Sequence, residues 1–155
     1  GLLVFAKSAQ VQKKLQKSWN ELILERGYIA LVEVVVDPPE GEISSYLREN
    51  KSRLVYSSDE PGDGKWAVTK YRTIKSNEDF SLLQMTLRTG RKNQIRVHLS
   101  DIGHPVTGDK KYGSQVNPIR RMGLHARTLS FIHPVNGRVL NFTTSVPRKF
   151  HLVFK

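Results

Sequence analysis

Residues 65–102 have the sequence KWAVTKYRTIKSNEDFSLLQMTLRTGRKNQIRVHLSDI, and this stretch decides the fold of the chain. Apolar and polar side chains alternate over 65–74 and again over 80–87, and the polar residues Ser76–Asp79 lie between the two runs. Alternation with a period of two is typical of strands with one buried face, and a short polar link joins such strands in a hairpin. The stretch therefore predicts an antiparallel β-hairpin.

The spacing of the apolar residues changes to a helical one after Gly90. Ile95, Leu99 and Ile102 fall on one face of a short helix, and Gly103 follows at the place where glycine commonly ends a helix. Towards the N-terminus we predict a longer amphipathic helix that Ser8 caps and that ends at Gly27. Further strands are predicted at 2–6, at 28–36 with 41–46 as its hairpin return, at 124–132 and at 138–144, with a closing helix from Pro147 onward.

These elements predict an α+β fold. Residues 1–155 contain no internal repeat, linker or low-complexity tract, so we expect one domain over the whole chain. Its sheet is expected to be mixed but mostly antiparallel, with a few helices flanking it. The apolar run at the very start of the chain also indicates that further sequence precedes Gly1.

The charge balance indicates a polyanionic partner. Lys and Arg total 25 against 14 acidic residues, a net charge of +11, and such a surplus favours binding to phosphates. The alternative is a soluble protein that merely happens to be basic. The absence of cysteine excludes disulfides, thiolate metal sites and a cysteine nucleophile, and it suits a cytoplasmic location. No apolar run approaches the roughly 20 residues that a membrane span needs.

The densest polar segment of the chain is Arg88–His98. Basic and amide side chains at the start of a helix favour an anionic ligand, although a solvated basic surface is an equal alternative. Arg96 adjoins the apolar face of this helix, so we expect it to be partly buried and paired with a carboxylate or with carbonyls. Asp109 follows in a turn before two lysines, where a local cap is a better interpretation than a nucleophile. The five histidines show no metal-ligand spacing, so no metal site is predicted.

Several segments together resemble RluA-type RNA pseudouridine synthases. Residues 1–8 are similar to the stretch that follows that family's His-Arg-Leu-Asp motif, and Tyr28–Val32 resembles its Tyr-x-Ala motif. Thr89–His98 is similar to its Thr-Gly-Arg-x-x-Gln-x-Arg-x-His motif. Shorter matches follow in the family's order: His104-Pro105, Gly108-Asp109, Tyr112-Gly113, Leu124-His125-Ala126 and His133-Pro134.

The resemblance implies isomerisation of uridine to pseudouridine in RNA without a metal or a cofactor. Tyr28 matches the family's active-site tyrosine, although the residue alone is more typical of core packing, and Arg96 matches the arginine that pairs with the catalytic aspartate. That aspartate is expected before Gly1, so the resemblance implies that this chain alone is inactive. We predict RNA contacts from Arg88, Arg91, Lys92, Gln94, His98, Lys110 and Lys111.

The expected partner is RNA, with large-subunit ribosomal RNA favoured over transfer RNA, and no membrane or small-molecule cofactor. A non-catalytic RNA-binding module is the main alternative, because the same basic surplus explains it without Tyr28 or an aspartate. A hydrolase or transferase that uses Asp109 or His98 would rest only on isolated residues.

Overall fold

A seven-stranded antiparallel sheet forms the body of the molecule. The structure is a computed structural model that describes residues 1–155. Along the chain, the elements are α1 (Ala9–Leu22), β1 (Ile23–Glu33), β2 (Glu40–Glu49), β3 (Val55–Ser58), β4 (Lys65–Ser76), β5 (Phe80–Leu87), α2 (Gln94–Asp101), a 3-10 turn at Lys110–Tyr112, β6 (Leu124–Ile132), β7 (Val139–Thr143) and a 3-10 helix at Arg148–Phe154. The strand order in the sheet is β3-β2-β4-β5-β1-β6-β7. The α+β prediction is confirmed, and every strand pair is antiparallel.

The predicted hairpin is present as β4 and β5. The Asn77 side-chain oxygen closes its turn by accepting hydrogen bonds from the backbone N–H groups of Asp79 and Phe80. The predicted return of residues 41–46 onto the strand before them is wrong. Both edges of β1 are occupied, by β5 and by β6, so β2 pairs with β3 and β4 instead.

The start of the chain differs from the prediction in two ways. Residues 2–6 form no strand, because they meet the sheet through one backbone hydrogen bond, from Leu2 N–H to the Ala126 carbonyl. Ser8 caps α1 as expected, through a bond from the Val11 N–H to its hydroxyl. The helix ends at Leu22 rather than at Gly27, because the residues from Ile23 onward pair with β6 and this ladder overrides the helical pattern.

The central strand β1 is buried on both faces. Ala30 and Val32 pack with Leu83, Met85 and the apolar face of α2. Ile29 and Leu31 point to the other face, where Phe150 of the C-terminal 3-10 helix covers them. Burial on both sides explains why this strand reads as a continuous apolar run. The strand ends at Glu33, and Val34 adopts a left-handed φ of 68°.

The C-terminal elements follow the prediction with small shifts. β6 has the predicted bounds, β7 is shorter than expected, and the closing helix is a 3-10 helix. α2 ends at Asp101, and Gly103 follows with a φ of 84°. None of the helices combines the length and the apolar character that crossing a bilayer requires.

Candidate active site

β1 and α2 bring Tyr28 and Arg96 to one cleft. The side chain of Tyr28 lies on the α2 side of the sheet, partly buried against the core cluster there. A cleft of about 180 Å³ is lined by both residues, together with Leu87, Ile95 and Leu124. The two residues that the sequence singled out for chemistry are 68 positions apart, since 96 − 28 = 68, and the fold places them at one surface.

The turn between β5 and α2 is held in shape by Gln94. Its amide nitrogen donates to the Val68 carbonyl and to the Thr69 hydroxyl, at 3.0 and 2.8 Å. Its amide oxygen accepts from the Thr89 hydroxyl and the Arg91 backbone N–H. Gln94 is buried and its polar atoms are all satisfied inside the protein, so its role in this structure is to hold the turn, and its contact with RNA stays a prediction.

Arg96 forms a two-pronged ion pair with Asp109. Its Nε and Nη2 donate to the two carboxylate oxygens of Asp109, at 2.7 and 2.9 Å. The carboxylate is almost fully buried, with 1% of its side chain exposed against 20% for Arg96. The hydrogen bonds that the guanidinium donates to Asp109 raise the pKa of Arg96 above its ordinary value, against the opposing effect of burial.

This pair corrects two expectations. The partner of Arg96 need not come from outside the chain, because the loop after α2 folds back and delivers Asp109. The side chain of Asp109 makes no capping hydrogen bond to the 3-10 turn that follows it. The Arg96 Nη1 also donates to Asn93, at 3.2 Å, and the guanidinium lies 4.9 Å from the centre of the Tyr112 ring. Its remaining N–H groups are not used by the protein, and Arg96 lines the cleft.

His98 is a core residue. It is fully buried, and its ring nitrogens lie 3.0 Å from the Ser45 hydroxyl and 2.8 Å from that of Thr69. Burial lowers the pKa of His98 below its ordinary value, so the neutral ring is favoured. Its ring joins α2 to β2 and β4, and the contact of His98 with RNA stays a prediction.

The remaining predicted RNA contacts lie at two places, the region between β5 and α2 and the 3-10 turn of Lys110–Tyr112. Lys92 forms a 2.8 Å ion pair with Glu49, and the Arg91 Nε donates to the Trp66 carbonyl. Arg88 is 3.9 Å from Glu42, and Lys110 and Lys111 are exposed. These five cations are placed where a polyanion can reach them, and their contact with RNA stays a prediction.

A match to a family model shows which protein family the chain belongs to. Residues 1–101 match the model for RNA pseudouridylate synthase. The chain belongs to this family.

Curated relatives agree with this assignment. The chain is 36% identical over 167 residues to ribosomal large subunit pseudouridine synthase D of Zymomonas mobilis, with 100% of the chain and 52% of that protein covered. It is 34% identical over 175 residues to an RNA pseudouridine synthase of Chlorobaculum parvum, covering 100% of the chain and 54% of that protein. The RNA pseudouridine synthase YhcT of Bacillus subtilis is 35% identical over 142 residues, which cover 90% of the chain and 47% of that protein. The chain thus spans about half the length of the curated relatives it matches.

Solved structures share the fold. Human RNA pseudouridylate synthase domain containing 1 superposes with a TM-score of 0.75 at 24% identity, over 92% of this chain and 62% of that one. Human RNA pseudouridylate synthase domain containing 4 gives a TM-score of 0.74 at 22% identity, over 97% and 68%. At this identity the likeness shows that the architecture is shared.

The sequence pattern does not reveal two residues of the candidate site. Asp109 is typical of a turn residue in the sequence, although the demand of Arg96 for a carboxylate predicts a buried acid nearby. Arg26 lies two positions before Tyr28 and lines a larger cleft of about 580 Å³ with it and with Arg91. Its signal is the period of two along a strand, which places residues 26 and 28 on the same face.

Proposed function

We propose that the protein that contains this chain isomerises uridine to pseudouridine in RNA. The observation that carries the proposal is the meeting of Tyr28 and Arg96 in one cleft of a chain that belongs to the RNA pseudouridylate synthase family. The net charge of +11 supports an RNA substrate, because Lys and Arg contacts to phosphates supply most of the affinity for nucleic acid.

Large-subunit ribosomal RNA is the substrate that we favour. The support is the relative from Zymomonas mobilis, whose name specifies the ribosomal large subunit, and transfer RNA is the second substrate to test. A cytoplasmic location fits such a substrate and the lack of cysteine.

The reaction rearranges the nucleoside without adding or removing atoms. The bond between uracil N1 and the ribose breaks, the base rotates, and a bond from C5 to the ribose forms; the C5 proton leaves and N1 takes up a proton from the solvent, so the composition is unchanged. We propose that Tyr28 packs against the base and assists removal of the C5 proton. Extrusion of the base from its stack costs roughly a few kcal/mol, and the apolar side chains of the 580 Å³ cleft, among them Leu15, Trp19 and Leu87, offer the base a new contact surface.

Arg96 is proposed to orient the carboxylate of the family's catalytic aspartate. That aspartate belongs to the family's His-Arg-Leu-Asp motif. The segments of this chain that resemble family motifs do not include this one. Gly1 lies against Ala126, the register partner of Tyr28, so a segment joined to Gly1 would enter the site beside the phenol. We therefore propose that residues 1–155 alone do not turn over uridine.

An assay of the full gene product tests this function. The product is incubated with unmodified ribosomal RNA and transfer RNA, and pseudouridine is mapped in each. We expect modification at a defined uridine by the full product and none by residues 1–155. A folded full product that carries the aspartate and modifies neither RNA would refute the enzyme and favour a non-catalytic RNA-binding module.

A further inference from the structure

Arg26 is a cation without a partner in the candidate active site. Its side chain is partly buried on β1, yet it forms no hydrogen bond and no ion pair with any protein group. The guanidinium lies directly over Gly90, since a Cβ added to that glycine would overlap the Arg26 Nη1. No nitrogen of Arg26 is among the buried polar atoms that lack a partner, so its N–H groups reach the solvent and are free to bind an anionic ligand.

A second arginine lies near this position. Arg26 and Arg91 line the same two clefts, the apolar one of about 580 Å³ and a polar one of about 380 Å³. Burial lowers the pKa of Arg26. The nearby phenol of Tyr28 raises this pKa, and the charge of Arg91 lowers it further. Glu25 also lines the polar cleft, but it forms no ion pair with either arginine.

We propose that Arg26 and Arg91 together bind one phosphate of the RNA backbone beside the target nucleotide. The inference rests on the proposed RNA substrate. Two guanidinium groups that line the same clefts match the several oxygens of a phosphate better than they match a single carboxylate. The apolar cleft contains Tyr28, the polar cleft contains Arg88 and Thr89, and both clefts share Arg26, Gly90 and Arg91. The base therefore occupies the first cleft, and the backbone continues along the second.

Gly90 has a specific part in this site. Its backbone has no left-handed φ, so the local conformation does not require glycine. Glycine is needed here because the Arg26 guanidinium occupies the space that a Cβ would fill. Gly90→Ala therefore displaces the end of a flexible side chain without straining the backbone.

The test measures RNA binding by the full gene product with a fluorescent uridine-containing RNA stem-loop over a range of salt concentrations. Arg26→Gln is compared with Arg72→Gln, which removes one charge from an exposed arginine bonded to Gln84 on β5. We expect Arg26→Gln to weaken binding about tenfold and to reduce the slope of log K against log salt by about 0.7, the value for one lost phosphate contact. Arg72→Gln should leave the slope within error, and Gly90→Ala should follow Arg26→Gln.

Thermal unfolding of the free proteins separates a ligand site from a structural role. Because Arg26 is unpaired and near a like charge, Arg26→Gln should unfold at the same temperature as the parent or at a higher one. A lowered unfolding temperature together with an unchanged salt slope would mean that Arg26 pairs with a carboxylate of the protein, and this would overturn the inference.

Pseudouridine is measured in the same samples. If the parent product modifies RNA but Arg26→Gln binds RNA like the parent, the phosphate site is refuted and the proposed function is not. If the parent product modifies no RNA, the proposed function is refuted and the binding result still decides the phosphate site.

Discussion

At the scale of single residues, the two-pronged pair of Arg96 and Asp109 fixes the direction of a guanidinium that lines the cleft. Both prongs depend on the planar fork of arginine, which lysine lacks. The pair also shows why the prediction from sequence was incomplete. The local pattern around Arg96 revealed the demand for a carboxylate, but the loop that supplies Asp109 returns to the helix only in three dimensions.

Arg96→Lys should separate catalysis from binding. A lysine keeps the charge but makes one contact where Arg96 makes two, so the catalytic geometry is lost. We expect the full gene product to lose about 100-fold or more in turnover, while its affinity for RNA changes by no more than about threefold. Single-turnover pseudouridine formation and RNA titration measure the two effects. Arg72→Lys serves as the matched control, and an Arg96→Lys enzyme as fast as the parent would refute the role of this residue.

His98 should make the protein less stable in mild acid. Burial lowers its pKa below the ordinary value of 6.5, so the unfolded chain binds a proton that the folded chain excludes. The stability from the neutral ring is therefore complete above about pH 7 and is lost as the pH falls through 6.5 towards the lower folded value. His125, whose pKa is also lowered chiefly by burial, adds to the same trend.

Urea unfolding at a series of pH values checks this linkage. The free energy of unfolding should fall between pH 7 and pH 5, and His98→Gln should make the dependence shallower. A parent protein that becomes more stable over this range would contradict the buried neutral histidine.

At the scale of elements, the sequence predicted the β4–β5 hairpin, α2 and β6, because each has a clear local period. It misjudged the region around residues 2–6 and 23–27, where the outcome depends on pairing between distant strands. An apolar run alone does not tell a strand from an extended segment, and Leu3 and Phe5 remain largely exposed, at 78% and 84%. The junction between α1 and β1 is set by β6, which lies about 100 residues further along the chain.

Gln94 joins two of the correctly predicted elements, and its removal should weaken their junction. Gln94→Ala leaves the Arg91 N–H without its acceptor and removes one of the two hydrogen bonds to the Val68 carbonyl, so we expect a loss of about 1–3 kcal/mol in the free energy of unfolding. Lys92→Ala, at an exposed neighbouring position, should change stability by less than about 0.5 kcal/mol. Denaturant unfolding compares the two variants. Equal stabilities would show that Gln94 has no structural role and would favour it as an RNA contact.

At the scale of the whole molecule, the fold explains how a short motif on α2 and a tyrosine on β1 act together. Antiparallel pairing places β5 beside β1, so the turn that follows β5 lies above Tyr28. The motifs led to the family and to these two residues. Gln94 and His98 are buried and connect the elements of the site from inside, whereas the cations beside them are exposed. The motifs did not show this difference, because polarity in a sequence does not show which side chains are buried.

The central claim is that the phenol of Tyr28 takes part in the reaction and is not merely packed. Single-turnover pseudouridine formation by the full gene product tests it most directly, with Tyr28→Phe compared to Tyr46→Phe, a tyrosine that contacts Trp66 away from the cleft. We predict that Tyr28→Phe slows the reaction by about 100-fold or more, as expected for the loss of a proton-transfer group, while RNA affinity and the rate of Tyr46→Phe stay at the parent level. A Tyr28→Phe enzyme that forms pseudouridine at the parent rate would contradict the claim.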